Sequence, residues 1–100
     1  MRSFAQLMGE DRRLAILRVL QVSPRYEAND ELIAAVLGDF GHCAPRDQVR
    51  TDIEWLKEQG LVGVESVEQY RVATLTNRGL ETVTGTVVTP GVRRPAPSLS

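Results

Sequence analysis

Apolar residues recur every three to four positions through the first 60 residues of the chain and then begin to alternate. Leu14, Leu17 and Leu20, with Ile16 beside them, fall on one face of a helix running from Glu10 to Gln21. Upstream, Ser3 and Gln6 have the spacing of a capping box, which carries the helix back toward Ser3 and adds Phe4, Leu7 and Met8 to an apolar face. Gly9 lowers helix propensity between the two parts, so the start stays open between Ser3 and Glu10. Arg12, Arg13 and Arg18 are expected to face solvent, and Ser23-Pro24 ends the segment. A second helix is expected from about Asn29 to Phe40, capped by Asn29 or Asp30 and stopped at Gly41. Its stripe is Leu32, Ile33, Val36, Leu37 and Phe40. A third helix starts at Pro45 and ends before Gly60, with Val49, Ile53 and Leu56 facing inward. The short link from Gly41 to Ala44 has the length of a helix-turn-helix connection.

Leu61 to Glu65 and Gln69 to Leu75 read as two short strands around a turn near Ser66 to Glu68. Thr76 is a suitable N-cap for a short fourth helix, with Leu75 and Leu80 at the positions of a hydrophobic staple. From Gly85 the periodicity is lost, and Arg93-Arg94-Pro95-Ala96-Pro97 reads as an extended tail. This order predicts an α+β chain: a winged helix-turn-helix over residues 1–85 and a tail over 86–100. The parts are a three-helix core, a two-stranded hairpin wing, a short fourth helix and the tail. The tail either frays or forms an arm that docks on a partner subunit or on DNA.

Two stretches are similar to known regulators. Asp52-Ile53-Glu54-Trp55-Leu56-Lys57-Glu58-Gln59-Gly60-Leu61-Val62 resembles the end of the recognition helix in MarR- and ArsR-like proteins. Leu75-Thr76-Asn77-Arg78-Gly79-Leu80 resembles the Leu-Thr-x-x-Gly motif that follows the wing in MarR-like proteins. Nearly the whole chain resembles a family of small winged-helix proteins of Mu-like bacteriophages and prophages, often labelled ArsR-like regulators. The stretches that carry this resemblance are Glu10 to Leu14 with Ile16 to Arg18, Gly41-His42, Arg46 to Asp52, Val72 to Thr76 and Pro90 to Pro95. The resemblance implies a DNA-binding transcriptional regulator, although fold by itself does not fix function.

Composition narrows the choices. With 100 residues the chain suits one small domain. One Cys excludes an internal disulfide and a cysteine zinc cage, and suits a reducing compartment. No apolar run reaches membrane-spanning length and the N-terminus lacks a signal-peptide core, so a cytoplasmic protein of the bacterial host, without membrane contact, is expected. The net charge of -1 means that nucleic-acid binding must use a local patch. The candidates for DNA contact are Arg46, Gln48, Arg50 and Thr51 in the leading turns of the third helix, with Lys57, Arg71, Arg93 and Arg94. Arg reads guanine and Gln reads adenine bidentately, and Thr suits bases or phosphate. Against this, Asp47, Thr51, Glu54 and Glu58 fall opposite the core stripe, and Glu65 and Glu68 sit near the wing tip. No enzymatic activity, metal or cofactor is expected. His42-Cys43 is too small a pair for a metal site and reads as a turn residue beside a surface or capping histidine. Asp52, Glu54 and Glu58 read as helix-surface charges. Trp55, Tyr26 and Tyr70 are expected to pack in the core or at its rim, Trp55 under the wing, unless they anchor a partner.

Two functions therefore compete. One is a phage-encoded regulator, expected as a homodimer, that reads duplex DNA with the helix 45–59, since dimeric regulators read two half-sites about a helical turn apart. The other is a protein-protein adaptor for a phage or host protein in assembly, DNA packaging or host takeover, using the acidic helix face and wing.

Overall fold

The structure, a computed structural model, describes residues 1–96; Pro97 to Ser100, the end of the expected tail, lie outside the described residues. It is an α+β winged helix-turn-helix. The first helix, α1 (Phe4–Val22), is continuous through Gly9. Its start is fixed by the capping box: the Gln6 amide donates to Ser3 Oγ at 3.1 Å and the Ser3 amide to Gln6 Oε1 at 2.8 Å. Leu14, Ile16, Leu17 and Leu20 are buried, whereas Phe4 and Leu7 stay exposed, because nothing among the described residues covers the first turn.

A 3-10 turn over Pro24–Tyr26 leads into β1 (Glu27–Asn29), a strand that the sequence pattern did not show. Three residues are too few to display a period, and their pairing is decided by a distant strand. Tyr26 is exposed rather than packed, with its backbone in the left-handed region beside Arg25. In α2 (Asp30–Asp39), Asn29 is the cap, accepting from the Leu32 amide at 2.8 Å. Ile33 and Leu37 are buried, but Leu32 and Phe40 face outward, so the expected stripe is narrower than drawn. Gly41, at φ +85°, turns the chain, and the His42 amide closes onto Leu37 O.

Next comes α3 (Arg46–Glu58), with Pro45 just outside it as N-cap rather than in its first turn. Val49, Ile53 and Leu56 are fully buried. The wing is β2 (Val62–Val67) and β3 (Tyr70–Leu75), joined by a tighter turn than expected, Glu68-Gln69, with Glu68 at φ +54°. The sheet has three antiparallel strands in the order β1-β3-β2, not two. Ala28 faces Ala73 across β1 and β3, and Val67 faces Tyr70 at the wing tip. Finally α4 (Asn77–Thr84) is capped by Thr76, whose Oγ1 accepts from the Gly79 amide at 3.0 Å and donates to Gly60 O at 2.7 Å. Residues 86–96 have no regular structure but lie back on α1: the Arg93 amide donates to Glu10 O, and Val92 is buried. Among the described residues no helix is long and apolar enough to cross a membrane.

Candidate nucleic-acid interface

Two arginines at i and i+4 on α3, Arg46 and Arg50, project from one flank of the helix. Both reach the same carboxylate. Asp30, the first residue of α2, is fully buried and accepts from Arg46 Nε at 2.9 Å, from Arg50 Nε, and from the backbone amide of Arg71 on β3 at 3.1 Å. The outer nitrogens of the two guanidiniums donate to the Gln69 carbonyl in the wing turn, Arg46 at 2.8 Å. Arg46 also lies over the Tyr70 ring, 5.3 Å from its centre. Burial raises the Asp30 carboxyl, but the hydrogen bonds from Arg46, Arg50 and the Arg71 amide outweigh it and hold the group well below the usual carboxylate range. One buried anion therefore sets the wing against α3.

A second carboxylate holds α3 from the other side. Asp52 is buried, not a surface charge, and is paired with Arg12 of α1 through Nε and, at 3.3 Å, through Nη2. Arg13 Nε lies 3.8 Å away. Arg12 and Arg13 are thus half-buried, not free in solvent; Arg18 is exposed. Arg13 also sits over the Trp55 ring, 4.6 Å from its centre, and donates to Gly91 O. The covering of Trp55 therefore includes Arg13 and the 86–96 segment, not the wing alone as its place on the helix suggested. A third cluster joins α1, the turn after α2 and the C-terminal segment: Asp11 accepts from Arg93 at 2.8 Å and pairs with His42 Nε2 at 2.7 Å. His42 is accordingly buried rather than a surface residue. At Asp11 too, burial raises the carboxyl, and the bonds to Arg93 and His42 bring it below its ordinary value.

The eight candidate DNA contacts do not form one patch. Arg50, Thr51 and Arg71 line a shallow cleft with Trp55, Glu54 and Glu58. Arg46 borders this group through Asp30. Gln48 turns toward Asp52, 3.4 Å away, and Thr51 Oγ1 donates to Asp47 O in its own helix. Lys57 is exposed in the last turn of α3. Arg93 and Arg94 lie elsewhere, in a separate cleft with Arg18. Asp47, Glu54, Glu58, Glu65 and Glu68 are exposed, and among the described residues none has an ion-pair partner. Sequence reasoning missed Asp30 and Asp52. The available signal was a pair of arginines on one flank of α3 and another pair, Arg12-Arg13, on α1, since clustered guanidiniums beside a core call for a buried counter-charge.

The comparisons with known proteins fit this geometry. No family model matches the chain. It is 44% identical over 91 residues to the protein gp26 of Escherichia phage Mu, covering 91% of this chain and 94% of that one. The chain belongs to the phage Mu gp26 family. A protein of Haemophilus influenzae is also 44% identical, over 79 residues, covering 78% of this chain and 76% of its own length. Both carry names that state no activity, so membership in the gp26 family brings none with it. Among solved structures, a MarR family transcriptional regulator from Streptomyces coelicolor in complex with DNA superimposes with a TM-score of 0.61 at 21% identity. The match covers 77% of this chain, which spans about half (49%) of that regulator. At that identity the likeness is one of fold. It establishes the winged helix, while the finer ArsR-like label has no counterpart in these matches.

Proposed function

We propose that this gp26-family protein binds duplex DNA as a phage-encoded transcriptional regulator in the host cytoplasm, without catalysing a reaction. In this reading α3 enters the major groove and the β2–β3 wing lies along the adjacent backbone. The observation that carries it is the clamp on the leading turns of α3. Arg46 and Arg50 are held by Asp30 and Gln69 O, yet about a third of each side chain (35% and 33%) stays open. A guanidinium fixed in this way loses less conformational entropy on meeting a base edge or a phosphate. Gln48 and Thr51 stand on the same turns. The shared fold with a regulator solved on DNA supports the placement of the helix.

The test is fluorescence anisotropy on labelled duplexes, comparing random sequence with the phage's own intergenic segments across a salt titration. One segment should bind at least about tenfold more tightly than random sequence. The double variant Gln48→Ala/Thr51→Ala should lose about tenfold of that preference and keep its fold. It is a better probe than Arg46→Ala/Arg50→Ala, which would strand the buried Asp30. Equal binding to every duplex by the wild type would remove the regulatory reading, and a reporter fused to the preferred segment would give the sign of control.

The exposed, unpaired acids of α3 and the wing favour a second reading. An adaptor would present Asp47, Glu54 and Glu58 to a basic patch of a phage or host protein. It predicts a specific complex that Glu54→Lys/Glu58→Lys dissolves, a substitution that should instead strengthen binding to DNA.

A further inference from the structure

Five basic side chains, Arg18, Lys57, Arg71, Arg78 and Arg94, pair with no carboxylate among the described residues, and two of them share one cleft. Arg12, Arg13, Arg46 and Arg50 are tied to Asp52 and Asp30, whereas Arg18 and Arg94 are exposed and pair with no carboxylate of the described residues. Both line a cleft of about 720 Å³ between α1, the C-terminal end of α4 and the segment 93–96. Arg93, Thr84, Gly85 and Pro95 also form its walls, and no acidic side chain of the described residues does. The cleft shares no residue with α3 or the wing.

Its outer wall is fixed. The Arg93 amide donates to Glu10 O at 3.1 Å, Arg93 Nη1 donates to Asp11 at 2.8 Å, and Arg13 holds the Gly91 carbonyl. Pro95 sits against Gly85, where an added Cβ would lie 3.5 Å from its ring. Arg94 is thus carried on a backbone anchored just before it by the hydrogen bonds of Arg93 and Gly91. With the Arg93 charge met by Asp11, the two unpaired guanidiniums of Arg18 and Arg94 set a positive potential on a concave surface whose described walls carry no carboxylate. Their planar donor sets suit phosphate oxygens. The exposed face of α3 and the wing tip, with Asp47, Glu54, Glu58, Glu65 and Glu68, would repel the same polyanion.

We propose that this cleft binds the phosphates of a nucleic-acid backbone and supplies the sequence-independent part of the protein's affinity for DNA. The proposal rests on the DNA-binding reading and moves its electrostatic anchor from α3 to a second surface. Arg18 and Arg94 contact phosphate, and Arg93 positions the wall that carries Arg94. The base-reading turns of α3 then work beside an acidic surface because the attraction comes from elsewhere.

The experiment is a salt titration of a labelled random-sequence duplex against wild type, Arg18→Ala/Arg94→Ala and Arg25→Ala. All three replaced side chains are exposed, so each variant should fold, as circular dichroism would verify. The double variant should bind at least about tenfold more weakly at low salt, and its logarithmic salt slope should be shallower by about two. Arg25→Ala, outside the cleft, should match wild type. Unchanged binding by the double variant would overturn the cleft and leave the α3 reading standing, since that reading is scored by the Gln48→Ala/Thr51→Ala preference. No duplex binding by wild type, even at low salt, would overturn both. A poly-glutamate peptide that outcompetes duplex for the cleft would overturn the nucleic-acid assignment in favour of an acidic protein segment.

Discussion

Asp30 shows how much one side chain decides. As the residue after a cap it reads as an acid favouring the helix dipole, an effect worth a few tenths of a kcal/mol. In the fold it is buried and accepts from two guanidiniums and a strand amide. Asp30→Asn keeps the shape but turns an amide toward donors. Removing one partner of a buried pair costs about 3–5 kcal/mol, and because Arg46 and Arg50 can still reach water the expected loss is nearer 2 kcal/mol, read as a lower urea midpoint. The pH dependence has a definite sign. Asp30 and Asp11 both have folded carboxyls below their ordinary values, so their contribution is complete above the unfolded range near pH 4 and is lost as pH falls through the folded values. Wild-type stability should decline below about pH 5, and the gap to Asp30→Asn should shrink there. A gap that is constant from pH 7 to 3 would show that Asp30 acts by shape and not by charge.

At the scale of elements, two glycines mark where segments touch. A Cβ at Gly79 would lie 2.1 Å from the Leu61 carbonyl and 2.7 Å from Leu75, so α4 approaches the wing at backbone distance. Gly79→Ala should destabilise by roughly 3 kcal/mol, the upper end for overpacking, seen as a drop in melting temperature. A Cβ at Gly91 would lie 2.5 Å from the Trp55 ring, and the residue has φ +95°. Gly91→Ala should lift the C-terminal segment from the indole. Trp55 is the sole tryptophan, so the expected signal is a red-shifted emission with a loss of roughly 1–3 kcal/mol. Emission unchanged from wild type would mean that the segment does not cover Trp55 in solution.

For the whole molecule, the clusters at Asp30, Asp52 and Asp11 tie α1, α2, α3, the wing and the C-terminal segment into one unit. Urea unfolding should therefore be a single transition, with Trp55 emission and far-ultraviolet circular dichroism giving the same midpoint. An earlier fluorescence transition would show the segment peeling away first. The same clusters consume cations: with so few free arginines, the salt slope of DNA binding should stay shallow for a winged helix.

The helices, their caps and the wing were legible along the chain because they rest on local physics. Ser3 and Gln6 bond each other, Thr76 meets Gly79 within one turn, and Val49, Ile53 and Leu56 share a face through the helical period alone. The winged helix followed from that order. The strand β1, the burial of His42, the neighbours of Trp55 and the employment of the arginines depend on groups 16 to 82 residues apart in sequence. A periodic pattern shows which way a side chain faces but not which opposite charge waits there. The candidate interface was thus legible as a list of arginines, and only tertiary structure divided them: Arg46 and Arg50 as a clamp, Arg12 and Arg13 as struts, and Arg18, Arg71, Arg78 and Arg94 as charges with no carboxylate partner among the described residues. The reason is that a buried carboxylate must find its counter-charge wherever the fold brings one within reach.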